Sequence, residues 1–362
     1  MSDSLESILN DCIECRLCVE ECPFLLKYNW IPKDIAKDLL RGIDENKRYV
    51  MECFLCDLCR AVCPKNLDFP SVIVHARQSF SKYISGEIYY RLFLPDDQLF
   101  FPKAYKTYKK IIYDFPKDGS FKYIFFPGCS MSSYSPEAVK EVYRRLAKEL
   151  CSVGFIDTCC GKPLADVGLT ERASKWIMNL NARFIERECG NIVTACPMCY
   201  YYLKSSLPKS YKILTVYEVL GESLSEKLKR INLKVTIHDS CPDRFNGIFA
   251  RQVRSLLRGC EVLEMRHSRE KSLCCGAGGI ASIADPSLAL KISSVSAEEF
   301  SLTGADLMVV YCYTCAQVFW NTQPKIRTKH ILDLMLGTRD LSEDIKSGEV
   351  NNLVAKILME QI

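Results

Sequence analysis

The chain has 362 residues, a formal net charge of +4, 48% hydrophobic and 25% charged residues, and 21 cysteines. This is the balance of a soluble globular protein with room for two or three domains; no stretch approaches the eighteen apolar residues of a membrane span, and so small an excess of charge argues against nucleic-acid binding. Met1–Asn10 lacks the basic start and apolar run of a secretory signal, which predicts a cytoplasmic protein whose thiols serve metals rather than disulfides.

The first eighty-five residues carry two similar runs, Cys12-x2-Cys15-x2-Cys18-x3-Cys22-Pro23 and Cys53-x2-Cys56-x2-Cys59-x3-Cys63-Pro64. Each has the spacing of a bacterial two-cluster ferredoxin, in which three close thiolates hold one cluster and the fourth reaches the other. Cys12, Cys15, Cys18 and Cys63 are thus expected to hold one cubane [4Fe-4S] cluster, and Cys22, Cys53, Cys56 and Cys59 the second. Zinc knuckles, the alternative, come as separated C-x2-C pairs rather than four-cysteine runs ending in proline. Pro32-Lys33-Asp34 opens a helix carried by Ile35, Ala36, Leu39 and Leu40 and stopped by Gly42, and residues 71–84 read as another helix. With no alternating strand pattern present, this unit, residues 1–85, resembles the α-helical ferredoxin domain of succinate dehydrogenase iron–sulfur subunits.

Residues 86–120 form a connector rich in aromatics. From Phe101, the residues Tyr105, Tyr108, Ile112 and Phe115 share one helical face with lysines elsewhere. Such a helix either packs on its own domains, its lysines solvated, or docks on a partner subunit or a membrane surface. Lysines outnumber aspartates six to two between Lys103 and Lys122.

Beyond residue 120 the sequence repeats. Cys129, the pair Cys159-Cys160 before Gly161, and Cys196-x2-Cys199 are matched by Cys241, Cys274-Cys275-Gly276 and Cys312-x2-Cys315. Residues 121–126 and 233–238 read as strands leading to the first cysteine of each set, and 191–195 and 307–311 as strands feeding the C-x2-C pairs. Amphipathic helices at 136–150 and 285–302 lie between strands, and each copy closes with a short helix, a further strand and a helical tail. Alternation of strand and helix implies parallel sheets covered by helices, in two pseudo-symmetric halves at 121–230 and 231–362. Five thiols per copy exceed the four of one tetrahedral site.

This doubled pattern, with a helical two-cluster ferredoxin in front, resembles the CCG (cysteine-rich) domains of heterodisulfide reductase and its catalytic iron–sulfur subunit; the iron–sulfur subunits of glycolate oxidase and anaerobic glycerol-3-phosphate dehydrogenase share the layout. The resemblance implies that Cys129, Cys159, Cys160, Cys196 and Cys199 hold one non-cubane [4Fe-4S] cluster and Cys241, Cys274, Cys275, Cys312 and Cys315 a second, with zinc the alternative in one copy. It also implies that such clusters bind and split a disulfide, taking two electrons that cubanes deliver singly.

Lys162, His238 and Arg244 flank these motifs as candidate substrate residues: Arg244 to hold an anionic group, His238 to donate a proton. Their structural alternatives are a hydrogen-bonded strand histidine and an Asp243–Arg244 ion pair. Gly276-Ala277-Gly278-Gly279 lacks the spacing of a phosphate loop and is expected to let backbone approach closely. Cys151, Cys189 and Cys260 fall outside both templates and are expected in the core. No flavin or nicotinamide fingerprint is present, so a flavoprotein or a haem/quinone partner subunit must supply electrons or take them. The expected activity is reduction of a disulfide by a subunit of a multi-subunit redox complex, reached by the membrane only through a partner. Reverse flow, from a flavin dehydrogenase of a hydroxy acid or glycerol phosphate to quinone, is the alternative, and an electron wire without its own substrate a third.

Overall fold

A computed structural model describes residues 3–225 and 233–360; the boundary expected at 230/231 lies outside them. The N-terminal region is helical throughout, with helices at Asp3–Asp11, Leu17–Glu21, Pro23–Tyr28, Pro32–Leu40, Leu58–Ala61, Phe69–Arg77 and Ser81–Gly86. Pro32 opens its helix at the first position, and the Asp34 carboxylate accepts the Ile31 N–H at 3.1 Å, filling a donor that the helix leaves orphaned. The helix expected at 71–84 starts earlier, where Asp68 caps it through Ser71 N at 3.1 Å, and breaks into a 3-10 turn at Gln78–Phe80. Ile8, Phe24, Leu25, Ile35, Val50, Phe69 and Ile73 form its buried core.

The connector holds a short helix at Ile88–Arg91 and a longer one at Phe101–Tyr108, which ends where Lys110 turns into the left-handed region at φ 53°. Part of the predicted face turns inward on the protein itself: Tyr105 is buried, Tyr113 lies 5.3 Å from Phe155, and Phe115 stacks on Tyr143 at 3.9 Å, whereas Tyr108 and Ile112 are exposed. Two of the connector's lysines are more than solvated: Lys106 pairs with Asp157 at 2.6 Å, and Lys109 with Glu349 at 2.6 Å and Asp344 at 2.9 Å, while Lys103, Lys110 and Lys117 are exposed. No described helix is long and apolar enough to cross a membrane.

Two four-stranded parallel sheets follow. The first comprises β1 (Tyr123–Phe125), β2 (Val153–Phe155), β3 (Asn191–Thr194) and β4 (Lys212–Thr215), in the order β2-β1-β3-β4. The second comprises β5 (Lys234–His238), β6 (Glu261–Val262), β7 (Leu307–Val310) and β8 (Thr328–His330), in the order β6-β5-β7-β8. All pairings are parallel, with Phe125 opposite Phe155 and Val193 in one sheet and Ile237 opposite Val309 in the other. β7 is buried along its whole length, as a parallel strand covered on both faces must be. The helices Pro136–Glu149 and Pro286–Thr303 lie within a residue or two of their predicted limits, the second capped by Asp285 through Leu288 N at 2.9 Å. One hydrophobic core runs through both sheets, from Phe125 and Val193 to Ile237 and Val309.

This order sets the position of the cysteines. In each half the chain leaves the central strand for one neighbour and then crosses back to the other side, so the sheet has a switch point between β1 and β3, and between β5 and β7. Open parallel sheets bind ligands beyond the carboxyl ends of their strands at such a point. Cys129 follows β1, Cys159-Cys160 follows β2 and Cys196 follows β3; Cys241, Cys274-Cys275 and Cys312 occupy the same edge of the second sheet.

Candidate metal centres

In each N-terminal run the residues on either side of the middle cysteine adopt the left-handed conformation: Glu14 and Arg16 (φ 58° and 65°) around Cys15, Leu55 and Asp57 (φ 51° and 59°) around Cys56. None is glycine, and each such residue costs about 1–3 kcal/mol unless its surroundings hold it. The same strain at the same two places wraps both loops around a hollow. One hollow, with about 440 Å³ of atom-free space, is lined by Cys12, Cys15, Cys18, Cys59 and Cys63. The other, of about 390 Å³, is lined by Cys22, Cys53, Cys56 and Cys59. Burial, then repulsion from Cys12, Cys63 and Cys15, pushes the Cys18 thiol up to about 12. Burial and then Cys56 and Cys53 push Cys22 well up, and burial with Cys22, Cys53 and Cys56 does so for Cys59. Each fourth cysteine thus sits among the three of the opposite run. Sulfur donors packed this closely fit a soft metal cluster, which would keep them deprotonated.

The ten cysteines of the repeat form a single arc. Cys129 touches Cys159, which touches Cys160; Cys160 touches Cys199, and Cys199 touches Cys196. Cys196 then meets Cys312 of the other half, and the contacts continue through Cys315, Cys275 and Cys274 to Cys241. The halves therefore present their donor sets to one another, Cys196 to Cys312, with Ser130 Oγ 3.0 Å from Thr314 Oγ1 beside them. Cys196 and Cys312 each stand at the N-terminus of a helix of ten residues; Cys312 is held low by Cys196 and Cys315 and by the N–H groups of Cys315 and Thr314, whereas Cys196 is pushed up by Cys312 and by burial. Gly161 N and Gly276 N donate to Cys159 Sγ at 3.4 Å and Cys274 Sγ at 3.3 Å, the same bond in both copies. Gly128, at φ 80°, leaves no room for a side chain: a Cβ would lie 3.0 Å from Cys199 Sγ.

The arc also reaches the ferredoxin loops, for Cys274 contacts Cys56. Gly278 and Gly279 make that approach possible; a Cβ would lie 2.1 Å from Phe54 O at the first and 2.7 Å from Cys53 O at the second. The glycine run therefore serves close backbone approach, though to the ferredoxin loop more than to its own cysteines.

Lys162 lies beside Cys160, whose thiol is lowered by Cys159 and Cys199 first and then by Lys162, and it is ion-paired with Asp166. Arg244 is not free for an anion. Its guanidinium donates to Cys56 O at 2.9 Å, to Ser272 O at 2.7 Å and to Glu270 O, so the expected substrate contact gives way to a tie between domains. The expected Asp243–Arg244 ion pair is also absent; Asp243 accepts from Tyr201 Oη and from Phe249 N and Ala250 N. His238 is buried at the end of β5, where desolvation lowers it to about 4 and keeps it neutral at pH 7. Its nitrogen groups with Cys275 and Cys315, ligand atoms all within 4.8 Å of one another, and Nε2 has no hydrogen-bond partner. The first half has Phe126 at the corresponding place, so only the second offers nitrogen as well as sulfur. Cys189 is buried as expected, whereas Cys151 is exposed and Cys260 half-buried, each in a loop outside the sheets.

Residues that sequence reasoning missed lie where the halves meet. Tyr217, Tyr313, His330 and Asp333 gather near Cys196 and Cys312, with His330 stacked on Tyr313 at 3.6 Å. Burial pushes Asp333 up to about 7. Nothing in the linear pattern joins these four; only the packing of the two helical tails does. Arg77, at the end of a ferredoxin helix, was equally silent.

The sequence matches the 4Fe-4S dicluster domain over residues 11–68 and the cysteine-rich domain twice, over residues 123–204 and 235–319. It is 24% identical over 344 residues to one subunit of the fumarate reductase (CoM/CoB) of Methanothermobacter marburgensis, an alignment covering 85% of this chain and 66% of that protein, slightly under two thirds of it. It is 24% identical to an uncharacterized iron–sulfur protein of Methanococcus maripaludis, over 98% of this chain and 75% of the other. It is 23% identical over 407 residues to one subunit of the dihydromethanophenazine:CoB–CoM heterodisulfide reductase of Methanosarcina mazei, over 97% and 94% of the two chains. The chain thus joins a 4Fe-4S dicluster domain to two cysteine-rich domains whose thiols meet across their interface, and it is similar over nearly the whole of both chains to a subunit of a heterodisulfide reductase.

Proposed function

We propose that the chain is the iron–sulfur subunit in which electrons pass from two cubane [4Fe-4S] clusters, at Cys12, Cys15, Cys18 and Cys63 and at Cys22, Cys53, Cys56 and Cys59, to non-cubane [4Fe-4S] clusters at the two five-cysteine sets, where a disulfide is reduced. The observation that carries this reading is the unbroken line of thiols, from Cys56 through Cys274 to the meeting of Cys315, Cys312 and Cys196. Splitting a disulfide into two thiols takes two electrons and two protons. Bound clusters would supply the electrons singly and stabilise developing thiolates as Lewis acids.

The chain's own residues do the rest. The strand ends and helix N-termini fix Cys196 and Cys312 face to face, so a disulfide lying between the halves presents one sulfur to each. Lys162 places a cation beside Cys160, suited to an anionic group on the substrate. Electrons enter at the outer run, where Cys15 is exposed and flanked by exposed Ile13 and Leu17, an apolar rim for a flavoprotein or haem subunit.

The test is anaerobic purification with iron analysis and a disulfide assay. About sixteen iron atoms per chain, four for each [4Fe-4S] unit, with disulfide-dependent oxidation of a reduced dye, are expected. Iron near half that value would remove the two clusters of the repeat, and their place would pass to zinc in the second half, where His238 supplements sulfur. Oxidation of reduced protein by a quinone analogue alone would favour the reverse direction, as in the EtfAB:quinone oxidoreductase of Syntrophomonas wolfei, 26% identical over 74% of this chain and 36% of that protein.

A further inference from the structure

Arg77 ends the helix Phe69–Arg77 and has no exposed surface. A guanidinium has five N–H donors, and all five are used. Nε donates to Val50 O at 3.0 Å, Nη1 to Asp166 O and Gly279 O at 2.8 Å each, and Nη2 to Met51 O at 3.1 Å and Cys53 O at 2.6 Å. These carbonyls belong to the inner ferredoxin loop, the first half and the second half. No carboxylate forms an ion pair with Arg77 among the described residues; its hydrogen bonds all go to carbonyl dipoles, and the charge of Asp166 acts on it from farther off. Arg244, also buried and also without an ion-pair partner there, reaches the same loop from the other side, through Cys56 O at 2.9 Å. The backbones of two ligands of the inner set are therefore each held by a buried guanidinium.

Among the described residues the outer set has nothing equivalent. Its cations are Arg16, which lines the hollow but is exposed and donates to Asn29 Oδ1, and Lys33, whose Nζ lies 3.4 Å from Cys12 O and is paired with Glu14 at 3.1 Å. The difference matters because reduction adds an electron to a cluster already made negative by four thiolates. Burial disfavours that extra charge. By burial alone the inner set, enclosed between domains, would be harder to reduce than the outer set with its exposed Cys15, and electrons would stall outside. Asp57 beside Cys56 and Cys59 works in the same unfavourable direction. Asp166, the carboxylate that acts on Arg77, is itself ion-paired with Lys162, so the two buried guanidiniums outweigh Asp57 and favour the reduced inner cluster.

We propose that Arg77 and Arg244 raise the reduction potential of the cluster at Cys22, Cys53, Cys56 and Cys59 above that of the outer one, so that electrons fall inward toward the cysteine-rich halves. Neither is a ligand: each binds the backbone of one ligand and acts on the cluster by its charge. The inference rests on the reading that both N-terminal sets hold [4Fe-4S] clusters.

The test is a redox titration of the full, anaerobically prepared protein, followed by electron paramagnetic resonance. In the native protein two cubane potentials are expected, and Arg77→Gln should lower the higher one alone. At fixed potential the ratio of reduced to oxidised cluster should fall on the order of tenfold, or about 59 mV for a one-electron couple. Arg244→Gln should lower the same potential, and Arg77→Lys, which keeps the charge with fewer hydrogen bonds, should restore most of it. If both potentials move together, if neither moves, or if Lys behaves as Gln while only the melting temperature falls, the arginines are clamps and the proposal fails. Should Arg77→Gln not assemble, Arg244→Gln carries the same test. Absence of two cubane signals in the native protein would instead overturn the cluster assignment itself.

Discussion

Single residues show how far chemistry in this protein depends on what surrounds a side chain. Asp333 is an ordinary acid in a helical tail, yet burial raises its carboxyl from 3.8 to about 7, only partly offset by hydrogen bonds from Ser135 and from Thr338 Oγ1 at 2.7 Å. Below about pH 4 both folded and unfolded chains hold its proton. Between there and pH 7 only the folded chain keeps it, so stability falls as pH rises through this window and levels off above it. Asp333→Asn cannot ionise and should flatten this fall, gaining on the native protein from pH 4 to pH 8 in thermal melts. A parallel shift of both curves would mean that the carboxyl ionises freely in the folded state. Arg244 teaches the same lesson. Its position beside Cys241 suggested a substrate contact, and its three carbonyl partners show a structural tie; nothing in the residue type separates the two.

At the scale of elements, pattern was legible wherever a face is buried regularly. The strands before Cys129, Cys196, Cys241 and Cys312 stand where apolar runs placed them, as do the helices Pro136–Glu149 and Pro286–Thr303. Less legible were β2 and β6, of three and two residues, too short for periodicity, and the connector, where a left-handed Lys110 ends a helix that aromatic spacing would have carried on. Hydrophobicity alone does not rank these positions. Met308 in β7 is fully buried and Leu302 in the preceding helix is 87% exposed. Met308→Ala should cost about 2–5 kcal/mol in denaturant unfolding, whereas Leu302→Ala should stay within about 0.5 kcal/mol. Similar costs for the two would contradict the burial of the second sheet.

For the whole molecule the decisive feature is that the helical domain and the two halves are not beads on a string. The core around the ferredoxin loops takes in Leu164 and Val167 of the first half and Ile280, Leu288 and Ile292 of the second. Ion pairs from Lys27 to Asp285 at 2.9 Å and from Arg172 to Asp96 at 2.6 Å fasten the rim. Gly278 is where the fit is tightest, so Gly278→Ala should displace the loop at Phe54. A loss of about 1–3 kcal/mol is expected from overpacking, together with slower oxidation of the pre-reduced N-terminal clusters by a disulfide in stopped-flow. Unchanged stability and unchanged oxidation would show that close docking of the two regions is dispensable.

The sequence by itself determined the local chemistry: which cysteines travel together, that two runs are ferredoxin-like, that five-thiol sets occur twice, and that parallel α/β halves carry them. These are short-range properties, set by spacing along the chain and by strand and helix periodicity. Only the tertiary structure decided that the two sets meet at Cys196 and Cys312, that Cys56 touches Cys274, that the second half alone adds His238, and that Arg77 gathers three parts of the chain. Those contacts join residues tens to hundreds of positions apart. They are chosen by the burial of shared apolar surface and by the need to satisfy every buried donor, and no local pattern records either.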